Sequence, residues 1–189
     1  MGLASLLSYL SGAFGYALLL TVPILALLRC LGLSASWQRG ALLLSTSFVV
    51  FLALSPFPDP AHLDCSEGGV ALQLKPFAFL EAPGRLWSAK APLGAWLTDL
   101  TITSTIMNVV FFALVGASVG TLTLRAGPAL LYGLTLTVGI ELSQFTGLYG
   151  LYPCRYRTVD IDDVMMNVTG VLIGALLVRW SRRNYEKYP

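Results

Sequence analysis

Apolar residues along this chain gather into five long runs, separated by polar or Pro/Gly-rich stretches. They extend from about Leu6 to Leu31, Ala41 to Leu54, Leu100 to Thr121, Ala129 to Leu148 and Ile161 to Trp180. A helix needs about 20 predominantly apolar residues to cross a hydrocarbon core of ~30 Å. The pattern therefore predicts an all-α, polytopic membrane protein with about five transmembrane helices in one bundle. The last three runs carry the clearest signal. The second is the shortest, stops at Ser55-Pro56-Phe57-Pro58, and reads as a tilted span. No internal repeat or low-complexity segment divides the chain, so residues 1–189 form one transmembrane domain, with its motif-bearing helices over about 100–180.

Polar positions interrupt the later runs at helical spacing. Asp163, Asn167, Gly170 and Gly174 share one stripe of the fifth helix. Thr137, Glu141, Gln144 and Leu148 share one face of the fourth, and Thr101, Thr105, Asn108, Phe112 and Gly116 one face of the third. A carboxyl group facing lipid costs about 2.5 kcal/mol or more near the bilayer centre. The three polar patches should therefore face one another, gathering Asn108, Glu141, Gln144, Asp163 and Asn167 with Arg157 above them. Gly170 and Gly174 form a GxxxG pair, and with Gly116 they predict close helix packing.

Blander roles fit some of these residues. Asp160 or Asp162 suits an N-cap of the fifth helix, with Asp162 preferred. Asn108 and Asn167 suit interhelical hydrogen bonding. Arg157 suits an ion pair with Glu141 or Asp163. Glu141, an ionisable group inside a span, points by default to function.

Composition agrees with a membrane setting. The chain is 56% hydrophobic and 12% charged, against roughly 25% charged in soluble domains, and its mean hydropathy is +0.72. A net charge of +2 without a basic run gives no sign of a nucleic-acid partner. The N-terminal run lacks a basic n-region and a cleavage site, and reads as a retained anchor. Placing the N-terminus outside puts Arg29, Arg39, Arg125, Arg179, Arg182, Arg183 and Lys187 inside, and Lys75, Arg85, Lys90, Arg155 and Arg157 outside. Seven against five favours this orientation by the positive-inside rule. The C-terminus is then cytoplasmic.

The connection over about 55–99 becomes a long outer loop. Connections beyond about 15 residues usually carry a function or are disordered. Phe77, Phe79, Leu80, Leu86, Trp87 and Trp96 suggest that part of it lies on the membrane surface or folds back over the bundle. Cys65 and Cys154 both fall outside, where a disulfide between them would persist. Cys30 reads as a small apolar filler, and the single histidine, His62, as solvated.

The last 90 positions carry a resemblance. Asn108, Phe112 and Gly116, then Glu141 with Gln144, then Arg157, Asp160, Asp163, Asn167, Gly170 and Gly174 resemble the pattern of the VanZ-like membrane proteins. Leu114 stands where that pattern usually has proline, and "QLKPF", Gln73 to Phe77, is similar to its Asn-Leu-x-Pro-Phe segment. The resemblance implies a place in the bacterial cytoplasmic membrane and lowered susceptibility to teicoplanin and related lipoglycopeptides. Those drugs bind peptidoglycan precursors at the outer membrane face.

Three functions remain open. In the first, the protein binds a lipoglycopeptide or lipid-linked precursor without catalysis, with Arg157 on a phosphate or carboxylate. Asn108, Gln144 and Asn167 would line that site, and Phe77, Trp87 and Trp96 would contact acyl chain or sugar. In the second, it is an intramembrane enzyme with Glu141 as general base. Asp160 and Asp163 would then hold a divalent cation, although no metal motif of defined spacing is present and no cofactor is otherwise expected. In the third, it assembles with cell-wall enzymes through its glycine seam and its long outer loop.

Overall fold

The computed structural model describes residues 3–34 and 36–187. The side chains of Glu186 and Lys187, which the charge reading placed on the inner flank, lie outside the described residues. Five long helices form the body: α1 (Leu3–Cys30), α2 (Trp37–Leu54), α5 (Leu100–Leu122), α6 (Ala126–Phe145) and α8 (Ile161–Lys187). Shorter elements connect them: α3 (Glu81–Ser88), α4 (Leu93–Thr98), α7 (Gly147–Gly150), β1 (Leu72–Gln73) and β2 (Val159–Asp160). Oxygen-bearing caps set two helix starts. Ser36 accepts the Arg39 N–H at the head of α2, and Asp99 accepts those of Thr101 and Ile102 at the head of α5.

Four helices, α1, α2, α5 and α8, are long and apolar enough to cross a membrane. The second run does better than its sequence suggests, because Trp37 to Gly40 extend α2 to 18 residues. α6 is not among the four. Three glycines, two threonines, Glu141, Ser143 and Gln144 dilute its 20 residues. α6 also ends before Leu148, which was expected on its polar face. Leu148 sits instead in α7, a single left-handed turn in which Gly147, Leu148, Tyr149 and Gly150 all have positive φ.

Glycines bring α5 and α8 into backbone contact. A Cβ at Gly116 would stand 2.0 Å from the Val171 carbonyl oxygen, and one at Gly174 2.0 Å from that of Ala113. At Gly170 the Val109 carbonyl would be 2.4 Å away. Any side chain at these positions would force the helices apart. Val49, Phe112, Val115, Ile140 and Val171 form the dry core between α2, α5, α6 and α8. α1 leans on α2 through the ring pairs Phe14–Phe48 and Tyr16–Phe51. Outward-facing Leu19, Leu131 and Leu177 are exposed, as on a lipid-facing surface. Cys30 is a correction to the sequence reading: it is a free, exposed thiol at the end of α1, not a packed filler.

The connection over 55–99 folds back on the bundle along a seam. Cys65 and Cys154 are joined as a disulfide. Next, Gly69 bridges Arg155, then β1 pairs parallel with β2, Leu72 opposite Val159 and Gln73 opposite Asp160. Arg155 stitches the same seam, donating from Nε to the Val70 carbonyl (3.0 Å) and from Nη2 to that of Glu67 (3.2 Å). Gly69 is required there: its φ is +92° and a Cβ would lie 2.2 Å from the Arg155 carbonyl oxygen. Beyond the seam, Arg85 pairs with Asp99 at 2.7 Å and holds α3 to the head of α5. His62 stays exposed, 3.0 Å from Asp59.

Candidate functional site

The site begins with the free end of α2. The last carbonyls of a helix have no partner within it. Four successive ones here, from Leu52 to Ser55, take donors from elsewhere. Tyr9 Oη of α1 donates to Leu52 and, at 3.1 Å, to Ser55. Gln144 Nε2 of α6 donates to Ala53 at 3.0 Å, and Tyr156 Oη to Leu54 at 2.9 Å. Arg157 Nη1 donates to Ser55. Burial pushes the Tyr156 phenol up to about 12, so it stays protonated and donating. A guanidinium at a helix C-terminus also complements the negative end of the helix dipole.

Around this end lies a chamber of about 280 Å³, walled by α1, α2, α5, α6 and α8 at the end of the bundle nearest the seam. Its polar wall includes Asn108, Glu141, Gln144, Arg157, Asp163 and Asn167. The structure thus brings together in one cavity the five residues expected from the polar stripes and the Arg157 expected above them. Asn108 Nδ2 donates to Asp163 Oδ1 at 2.6 Å, joining α5 to α8. Asn167 Nδ2 donates to Thr137 Oγ1 at 3.0 Å, joining α8 to α6. Glu141 Oε2 accepts the Asp160 N–H at 3.0 Å, tying α6 to β2. Leu6 and Leu10 of α1, with Leu97 and Leu100, supply an apolar side.

Several sequence expectations are revised. Asp160, not Asp162, caps α8: its Oδ1 accepts the Asp162 N–H at 2.8 Å. Asp162 instead reaches into the connection, accepting the N–H groups of Phe77 (2.6 Å) and Phe79 (2.9 Å). Phe77 has φ 64°, so an ordinary strand or helix would not present those amides together. The "QLKPF" stretch thereby gains a physical role. Gln73 closes the turn on itself, accepting from Lys75 N–H and donating to the Lys75 carbonyl, and its Nε2 lies 3.5 Å from Asp160 Oδ1. Arg157 forms no ion pair with Glu141 or Asp163. Burial raises the Asp160 carboxyl above its ordinary range.

Phe77, Trp87 and Trp96 line no part of the chamber. Trp87 is 79% exposed, and the Trp96 indole donates to the Ala91 carbonyl at 3.3 Å. On α5, Thr101 and Thr105 line no part of the chamber, and Thr103 and Ser104 take their place in the wall. Tyr9 was missed altogether. Its signal was a phenol near the start of a mainly apolar run, where a hydroxyl needs a partner. Among the described residues, no three His, Cys, Asp or Glu side chains gather as metal ligands.

A family model described as VanZ/LLP1 matches residues 41–182 of this chain. No curated protein and no solved structure matches it.

Proposed function

Because the chain belongs to the VanZ/LLP1 family, we propose that it is a five-pass protein of the bacterial cytoplasmic membrane that holds a lipid head group in its chamber. The ligand on this reading is a lipid-linked envelope precursor or a lipoglycopeptide, bound without catalysis at the outer face. The expected cellular effect is lowered susceptibility to teicoplanin-type drugs.

Topology supports this placement. α1, α5 and α8 begin, and α2 and α6 end, at the chamber end. Five passes would put the two termini on opposite sides of the bilayer. The distribution of Lys and Arg favours the chamber outside, and the Cys65–Cys154 bridge suits an oxidising compartment. α6 crosses at low cost despite Glu141 and Gln144, because both are buried inside the bundle.

The observation that carries the binding reading is Arg157. Its guanidinium lines the chamber, a backbone carbonyl is its partner, and no carboxylate pairs with it among the described residues. Guanidinium geometry matches phosphate or carboxylate. The catalytic reading draws less support. Glu141 Oε2, Asp163 Oδ1 and Asp160 Oδ1 each hold a scaffold donor already. The assembly reading loses its seam, since Gly170 and Gly174 are buried against α5, and keeps only the outer loop.

Native mass spectrometry of the protein released from membranes provides the test. The wild-type chain should retain a phosphate-bearing amphiphile, and Arg157→Ala should lose it, with occupancy falling about tenfold or more. Equal retention by the two proteins would overturn the proposal. Glu141→Gln separates the readings: a binder keeps most of its ligand, whereas an enzyme accumulates uncleaved substrate.

A further inference from the structure

The lining of the chamber tells where it opens. Four lining residues, Leu97, Thr98, Leu100 and Ser104, are exposed, and all belong to α4 or to the head of α5. Glu141, Gln144 and Asn167, on α6 and α8, are buried. The cavity thus runs from an exposed edge on α4 and α5 inward to the polar wall. That edge is apolar. Leu97 is 70% exposed and Leu100 69%, and Leu93, one turn before Leu97, is 73% exposed. Its hydroxyls are satisfied within their own helices. Thr98 Oγ1 donates to the Gly94 carbonyl at 2.9 Å, and Ser104 Oγ to that of Thr101 at 3.1 Å. Bare leucines and internally paired hydroxyls suit hydrocarbon, where no water takes up a polar group, and not an aqueous entrance.

Packing gives the opening its shape. α1 packs along α2, and α5 packs on α8 and α2. Among the described residues, α1 has no extensive contact with α5. The chamber occupies the space between them, with Leu6 and Leu10 on one side and Ser104, Met107 and Phe111 on the other. That space closes where Phe48 of α2 meets both neighbours edge-on, its ring centroid 6.2 Å from that of Phe14 and 5.4 Å from that of Phe111. From Leu100 to Phe111, α5 advances about 16 Å, roughly half of a ~30 Å hydrocarbon core. The furrow between α1 and α5 therefore has the depth of one lipid leaflet.

We propose that this furrow is the lateral mouth of the chamber, and that it seats a hydrocarbon chain of the bound amphiphile while the head group lies inside near Arg157. This rests on the reading of the chamber as a lipid head-group site. It adds the tail subsite and the path of entry, from the surrounding leaflet between α1 and α5 and not from water. Leu6, Leu10, Leu100 and Met107 supply the contacts to the chain.

The test places the full chain in lipid nanodiscs with a trace of phosphatidic acid that bears a diazirine on one acyl chain. Photoadducts are mapped by peptide mass spectrometry. Val138 and Leu142 of α6 are exposed and lie similarly close to the chamber end of their helix, so they give the background for ordinary lipid contact. Labelling at Leu6, Leu10, Ser104 and Met107 should exceed that background about tenfold, and Arg157→Ala should return it to background, as expected for loss of one charge-assisted hydrogen bond to the phosphate. Ser104→Trp fills the mouth from an exposed position and should act likewise, so the test stands if Arg157→Ala fails to fold. Background labelling in wild type, with retention of a native amphiphile still dependent on Arg157, would overturn the lateral mouth and leave the head-group site standing. High labelling that neither variant lowers would make the furrow an ordinary lipid contact and overturn the mouth as well. Background labelling together with retention indifferent to Arg157 would end both readings.

Discussion

At the scale of single residues, the acidic turn Asp160-Ile161-Asp162-Asp163 divides its labour. Asp160 caps α8, Asp162 holds two amides of the connection, and Asp163 faces Asn108 in the chamber. Sequence reasoning singled out all three carboxylates and offered Asp160 or Asp162 as the cap, but preferred Asp162 and gave no hint of its hold on the connection. Spacing along a helix tells which side a residue takes, not which distant backbone will arrive to meet it. Asp160 offers a pH test. Burial raises its carboxyl above 3.8, so the folded chain holds that proton more tightly than the unfolded chain does. Its contribution to stability therefore falls as pH rises from 3.8 through the raised value, and at neutral pH the ionised group is a cost. Asp160→Asn keeps an oxygen for the Asp162 N–H and removes the charge. Thermal unfolding should show an equal or higher Tm at pH 7 and a shallower decline above pH 4 than in wild type. A lower Tm at pH 7 would mean that the charge itself stabilises the turn.

At the scale of elements, the polar stripes of α5, α6 and α8 were legible because a helical period and the cost of a carboxyl in lipid leave few arrangements open. The seam was less so. Two-residue strands give no periodic signal, and parallel pairing between residues 87 positions apart has no local signature. Only Cys65 and Cys154 hinted at it. Because the disulfide lies at the start of the seam and Asp162 at its end, the bridge should steady the turn that bears Arg157 and Asp160. Cys65→Ser with Cys154→Ser should cost about 2–5 kcal/mol, read as a lower Tm in detergent. Helix content should persist, and lipid retention should drop. Unchanged stability and retention would show that β1, β2 and Arg155 hold the seam unaided.

At the scale of the whole molecule, orientation is the open variable that labelling can fix. Cys30 is a free, exposed thiol at the end of α1 remote from the chamber. A membrane-impermeant maleimide should leave it unmodified in intact cells and modify it once the membrane is opened. Modification in intact cells would turn the chamber towards the cytoplasm and end the drug-facing proposal. The family match starts at Ala41, yet Leu6, Tyr9 and Leu10 of α1 complete the chamber wall, and the Tyr9 phenol fastens that helix to the end of α2. The residues that the family model matches thus make a vessel with one stave missing, and α1, outside the match, closes it. Exchange of that single helix between relatives would recut the doorway for fatty chains while the charged floor stayed the same.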